Sequence, residues 1–242
     1  MFISIGGTRI YYTKQGKGAP LIFLHGTFLD SSAYKELFGI LSEKFTVYAL
    51  DLPKHGKSDA LKGKASFSRY VEVVEKFVSA LKIRNPVIFG YSAGGLIALI
   101  YASRNKTKEL ILGDPAGAKY SRSVLPIVLR LIFIMVPAGF FSNPAGSLKI
   151  AGNGLYNFFR NFFSSSFFEL SGDALGKDYS SDMKKIRCKT VLLWSRRDEI
   201  TPFSYSRFFL DNIKGSRLVE VRGNHQWPAL KPEEIKKAFR FI

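Results

Sequence analysis

The stretch Pro86-Val87-Ile88-Phe89-Gly90-Tyr91-Ser92-Ala93-Gly94-Gly95-Leu96-Ile97-Ala98-Leu99-Ile100-Tyr101-Ala102-Ser103 decides the fold. A continuously apolar run at 86–89 suits a strand buried on both faces of a sheet. It enters Gly-x-Ser-x-Gly and leaves as an apolar helix over 93–103. A turn this tight between strand and helix needs residues without bulk two positions either side of Ser92, so that the backbones approach without Cβ clashes. Such a turn lifts the Ser92 hydroxyl to the strand tip above a helix N-terminus. There the amide of Ala93 can face a developing oxyanion.

Working outward, strand and helix patterns alternate. Residues 21–24 and 45–50 read as strands, and 31–42 between them as a helix, with Tyr34, Leu37, Phe38 and Leu41 on one face. Val71, Val74, Val78 and Leu81 give a second helix, and 110–112 a further short strand. Before these, 2–12 has a strand pattern broken at Gly6-Gly7, which fits a hairpin. The alternation stops at Pro115 and resumes near Cys188 with strands at 191–194 and 217–221 and helices at 203–211 and 232–241. This predicts an α/β, mostly parallel, doubly wound sheet built from 1–115 and 187–242, with 116–186 as an insertion. The insertion differs in composition: it holds nine of the 22 Phe, and no Asp or Glu occurs in it before Glu169.

A serine hydroxyl needs a base, and the base an orienting group. The chain has three His: His25, His55 and His225. His25 follows the strand at 21–24 and His225 follows the one at 217–221. Asp198 follows the strand at 191–194. In an open parallel sheet, sites gather at the carboxyl ends of the strands, and Ser92, His25, His225 and Asp198 all sit at such ends.

The order Ser92, Asp198, His225 resembles the nucleophile–acid–base order of the α/β-hydrolase superfamily. Leu24-His25-Gly26-Thr27 is similar to that family's oxyanion segment. Asp51-Leu52-Pro53-Lys54-His55-Gly56-Lys57-Ser58 is similar to its D-x-x-x-x-G-x-S loop, although Pro53-Lys54 stands where many members have Arg-Gly. The segments 194–202 and 223–225 resemble its acid and histidine loops, and the insertion 116–186 falls where the family carries its cap, which implies a mainly helical cap there. The resemblance implies a catalytic triad of Ser92, Asp198 and His225, and an oxyanion hole made by the Thr27 and Ala93 amides. It implies a structural role for His25 and no metal or organic cofactor. Some members place the acid after the strand before the cap, which makes Asp114 the rival to Asp198. The implied activity is hydrolysis of carboxylic esters of apolar acids through an acyl-enzyme. Lactone, thioester or carbon–carbon bond hydrolysis on the same triad is the alternative, as is a non-catalytic ligand-binding member of the fold.

The net charge of +17 concerns partners and solubility, not fold. A solvated Lys/Arg surface accounts for it; no nucleic-acid-binding signature accompanies it. Lys119, Arg122, Arg130, Lys149 and Arg160 make the insertion basic as well as aromatic. Phe158, Phe159, Phe162 and Phe163 fall at helical spacing. They form either the core of the cap or the wall of an acyl pocket. With Phe28 and Tyr91, Phe162 and Phe163 are the expected contacts of a small apolar ester, and the basic rim favours weak contact with an anionic membrane surface. The apolar stretch 124–141 contains Arg130, which costs roughly 2.5–3.5 kcal/mol at the centre of a membrane span; a buried or lid helix is the reading here. A single cysteine, Cys188, precludes an intramolecular disulfide and a cysteine-built zinc site. The absence of a signal-peptide pattern and the single free thiol lead to the expectation of a cytoplasmic protein.

Overall fold

A computed structural model describes residues 1–119, 144–162, 170, 173, 174 and 176–242. Eight strands, β1 (Phe2–Ile5), β2 (Thr8–Gln15), β3 (Ala19–Leu24), β4 (Phe45–Leu50), β5 (Val87–Tyr91), β6 (Glu109–Gly113), β7 (Lys189–Ser195) and β8 (Arg217–Val221), form one sheet in the order β1-β2-β4-β3-β5-β6-β7-β8. The β1–β2 and β2–β4 pairs are antiparallel; every later pair is parallel. Gly6 and Gly7 join β1 to β2 with φ of 57° and 78°. Positive φ at both turn residues matches the twist of a two-residue hairpin, and glycine adopts it without steric cost.

Helices α1 (Lys35–Leu41), α2 (Phe67–Ala80), α3 (Ala93–Arg104), α4 (Pro144–Phe162), α5 (Ser180–Met183), α6 (Ser206–Asn212) and α7 (Trp227–Leu230) surround the sheet. The apolar runs of the central strands divide by alternation. Leu21, Phe23, Val87, Phe89 and Tyr91 face one core, shared with α1, α7 and the C-terminal turns. Ile22, Leu24 and Ile88 face the other, shared with α2, α3 and α6. The period of two is hidden in the sequence because both faces are covered.

Three helices expected from the sequence differ in detail; that at 203–211 opens as a 3-10 turn, Phe203–Tyr205, before α6. The expected helix at 31–42 begins as a 3-10 turn, Ser31–Tyr34, capped by the Asp30 side chain, before α1 takes over. The C-terminal helix is 3-10 throughout, Pro232–Arg240. Its buried Pro232, Ile235 and Ala238 recur every third residue, a spacing that a three-residue turn stacks on one line.

Helix α4 lies within the expected cap and has an unusual polarity. Asn157 is wholly buried, whereas Leu148, Leu155, Tyr156 and Phe159 are exposed. Its inward side carries hydrogen bonds. Asn153 and Asn157 donate to Asp30 Oδ2 at 2.8 and 2.9 Å, the amide of Gly56 donates to Asn157 Oδ1 at 2.9 Å, and Arg160 donates to the carbonyls of Gly56 and Ser58. The spacing 153, 157, 160 puts all three on one face. The apolar stretch 124–141, with Arg130, and Arg122 lie outside the described residues, as do Phe163, Phe167, Phe168 and Glu169. No helix among the described residues is long and apolar enough to cross a membrane.

Candidate active site

Ser92 stands between β5 and α3 with φ 54° and ψ −120°. This is a strained conformation for a residue with a side chain, held by its surroundings. Its amide donates to the Gly113 carbonyl at 2.9 Å, and its own carbonyl accepts from the amides of Gly95 and Ala116 at 2.9 and 3.0 Å. The flanking glycines are required by contact. A Cβ on Gly90 would lie 2.3 Å from the Gly94 carbonyl oxygen, and a Cβ on Gly94 would lie 2.2 Å from the Leu24 carbonyl oxygen. The second contact means that the elbow packs directly on the end of β3, where the 24–27 segment begins.

The structure brings Ser92, His225 and Asp198 together from three strand ends. The Ser92 hydroxyl is 3.1 Å from His225 Nε2, and His225 Nδ1 is 2.6 Å from Asp198 Oδ2. His225 and Asp198 are both buried. Asp198 also accepts from the amides of Ile200 and Thr201, each at 2.7 Å, and from the Thr201 hydroxyl at 2.8 Å. The downstream loop is tied back by Trp194, whose indole donates to the Thr201 carbonyl at 2.8 Å. Asp198 is therefore fixed in rotamer before His225 meets it.

Ala93 occupies the first position of α3, where an amide has no acceptor within the helix. Gly26 lies against Ser92: a Cβ there would be 3.1 Å from the Ser92 Cβ. Thr27, the next residue, is exposed, and Phe28 after it has φ 65°. Gly26 thus sets the start of this turn beside Ser92, and the Phe28 ring lies 5.6 Å from that of Phe158 on α4.

His25 does not join the triad. Its Nδ1 donates to the Gly26 carbonyl and its Nε2 accepts from the Leu52 amide, each at 2.8 Å, so both ring nitrogens are used in holding two loops together. Burial lowers its pKa to about 4. His55 packs edge-on against it at 5.1 Å, and burial followed by the His25 charge lowers His55 to about 3. The 51–58 loop is closed by Asp51, which accepts from the amides of Ser31 and Lys57 at 2.9 Å each. Gly56 has φ 50° and lies against the Asp51 carboxylate, where a side chain has no room. Pro53-Lys54 is accommodated with Lys54 at φ 65°.

The expectation that Tyr91 touches substrate is corrected. Tyr91 is only 2% exposed, and its hydroxyl donates to the backbone carbonyl of His225. Side chains alternate along β5, so the residue before Ser92 points into the core beneath the site. Of the other expected contacts, Phe28 is half-buried at the site, Phe162 ends α4 but its side chain is outside the described residues, and so is the whole of Phe163. Sequence reasoning missed Asn153, Asn157 and Arg160 as the inward face of α4; their i, i+4, i+7 spacing was the available signal.

Among the described residues, one group of acids and histidine has its ligand atoms within 4.8 Å of one another: Asp114, Asp198 and His225. Those atoms are committed to hydrogen bonds. Asp114 accepts from the Ser195 amide at 2.9 Å and the Trp227 indole at 2.6 Å, and the Asp198–His225 bond takes the rest. The donor set suits a proton relay better than a cation.

The model of the Alpha/beta hydrolase family matches residues 21–238. The AB hydrolase superfamily protein YisY of Bacillus subtilis is 27% identical over 224 residues, covering 84% of this chain and 83% of that one. The pimeloyl-[acyl-carrier protein] methyl ester esterase of Chromobacterium violaceum is 25% identical, with 93% and 94% covered. Among solved structures, the enol-lactonase of Burkholderia xenovorans LB400 superposes with a TM-score of 0.85 at 20% identity, covering 99% and 98%; at that identity the likeness concerns the fold. Sheet order, elbow and family match together place this chain in the alpha/beta hydrolase family.

Proposed function

We propose that this protein is a serine hydrolase that cleaves carboxylic esters of apolar acids through an acyl-enzyme. The observation that carries the reading is His225 bridging Ser92 Oγ and Asp198 Oδ2 at 3.1 and 2.6 Å. In this reading Ser92 attacks the ester carbonyl while His225 Nε2 takes its proton. Asp198 holds the proton on Nδ1, which leaves Nε2 free as the base, and stabilises the imidazolium that forms. The amides of Ala93 and Thr27 receive the oxyanion. His225 then returns the proton to the leaving alcohol, and water repeats the sequence on the acyl-enzyme.

The acyl group is assigned to the space bordered by Phe28 and Phe158, whose rings meet where α4 crosses the 26–28 turn. The esterase among the relatives supports an ester substrate by analogy. A fluorophosphonate probe tests the assignment: it should label Ser92, and Ser92→Ala should abolish labelling. Labelling of a different serine in folded protein would refute it.

A further inference from the structure

Asp114 follows β6 by one residue, with φ 40°, and is wholly buried. Its two carboxyl oxygens accept from the Ser195 amide and the Trp227 indole. Its backbone is bound as well: its amide donates to the Leu193 carbonyl at 2.9 Å, and its carbonyl lies 3.1 Å from the Thr201 hydroxyl, which is also 2.8 Å from Asp198. It thus faces Asp198 from the neighbouring strand end, within 4.8 Å of both the Asp198 and His225 ligand atoms.

Two carboxylates this close in a buried site need two positive charges or one proton. The charged and titratable groups around them are His225 from the loop after β8, Glu199 beside Asp198, and Tyr91 from β5. The strongest influences on Asp114 are its burial, Asp198, the Ser195 amide and the Trp227 indole; none of these is a cation. Asp198 receives donors at both of its oxygens, His225 among them, and is the member of the pair that faces the imidazole. Asp114 accepts two hydrogen bonds. Burial, and then the charge of Asp198, push the Asp114 carboxyl well above the usual carboxylate range.

We propose that Asp114 is a positioning residue of the triad: it keeps its carboxyl proton and turns it toward Asp198, so that the acid pair presents one negative charge to His225. The proposal rests on the serine-hydrolase reading for its consequence. One charge stabilises the imidazolium as it forms. A second negative charge would favour the imidazolium before any substrate reacts and so weaken His225 as a base. A neutral Asp114 that donates to Asp198 further tempers the negative charge that His225 meets.

Two measurements on the whole protein test this. Infrared spectra of the wild type should show the carbonyl stretch of a protonated carboxylic acid at neutral pH, shifted in D2O and absent in Asp114→Asn. The rate of fluorophosphonate labelling is then followed against pH. Asn is neutral, and its amide can donate to Asp198, so Asp114→Asn should label within about threefold of wild type and keep the acidic limb within about 0.3 pH unit. Asp114→Ala removes the donor and should raise that limb by about half a unit or more. Absence of the band, or an acidic limb lowered by about one unit or more in Asp114→Asn, would show an ionised Asp114 and overturn the proposal. A limb unmoved in Asp114→Ala, with only the melting temperature lowered, would show a purely structural residue and overturn it too. If Asp114→Ala does not fold, the band and the Asn variant still decide. If the wild type is not labelled at all, the serine-hydrolase reading fails, while the band separately decides the Asp114 proton.

Discussion

The Tyr91 hydroxyl is bonded to the backbone carbonyl of His225, so the residue preceding Ser92 in sequence tethers the loop that carries His225. One strand end thereby fixes both members of the Ser92–His225 pair. The tether is buried, and its ring also lies 5.1 Å from the His225 imidazole. Tyr91→Phe keeps the ring and removes the bond. Turnover should fall by about ten- to hundredfold with KM little changed, because small misplacements of a base are costly in rate. Steady-state kinetics on any accepted ester would check this; unchanged kcat would mean the His225 loop holds its place without the tether.

Removing the acid should cost far more than loosening it. Asp198→Asn should lower kcat by roughly 10⁴, the scale known for amidation of a triad acid. Thr201→Val deletes the hydroxyl that donates to Asp198 Oδ2 at 2.8 Å but leaves both amide donors. Its cost should be about tenfold, the scale of one hydrogen bond to a charged group. Circular dichroism should show both variants folded. A larger loss for Thr201→Val than for Asp198→Asn would remove Asp198 from its assigned role.

The glycines separate into needed and dispensable. A Cβ on Gly94 would overlap the carbonyl oxygens of Leu24 and His25 at 2.2 and 2.5 Å, so Gly94→Ala should pry the elbow from the oxyanion segment and abolish labelling by fluorophosphonate. Gly152, inside α4, has nothing within 4 Å of its Cβ position and no positive φ. Gly152→Ala should raise stability by about 0.5–1 kcal/mol through helix propensity. Thermal melts of the pair give opposite signs if this is right.

Much of the site was legible because its local rules are strict. Gly90 and Gly94 appear in the sequence as the only residues that a tight strand-to-helix turn admits, and they led directly to Ser92. The acid was harder. Asp114 and Asp198 both follow a strand within a few residues, and only the fold shows that His225 Nδ1 reaches Asp198 while Asp114 is turned to Trp227 and Ser195. Tyr91 adjoins Ser92 in sequence, but strand alternation turns its side chain into the core, where its hydroxyl meets the His225 carbonyl. The polarity of helix α4 was not legible for a related reason. Counting apolar periodicity assumes that apolar residues face inward, and here Asn157 is buried while Phe159 is exposed.

Acid should destabilise the fold through its two structural histidines. His25 and His55 have folded pKa values lowered to about 4 and about 3, against roughly 6.5 in an unfolded chain. As pH falls below that unfolded value, the unfolded state binds these protons first. The stability they contribute is therefore full above about pH 6.5 and is lost as pH falls toward the folded values. Each histidine adds a slope of about 1.4 kcal/mol per pH unit within that window. His55→Gln should remove about one such slope between about pH 6 and 4, which urea denaturation at several pH values would reveal. Parallel stability curves for variant and wild type would show that His55 takes up its proton in the folded state as readily as in the unfolded one.

Phe28 is two residues on from Gly26, which packs against Ser92, and Phe158 reaches its ring from α4. If the rings wall an acyl pocket, each buried methylene adds about 0.8 kcal/mol of binding until the pocket is full. Kept in the transition state, that is up to about fourfold in kcat/KM per carbon. Medium-chain p-nitrophenyl esters should then exceed acetyl by well over about tenfold. Phe158→Ala should flatten this profile more than it lowers acetyl-ester turnover, because it removes the wall and leaves the triad. Loss of packing alone would reduce all chain lengths in proportion. A flat profile in the wild type, or a preference for acetyl, would confine Phe158 to holding α4 on the core, and the substrate would have to be sought among small acyl groups.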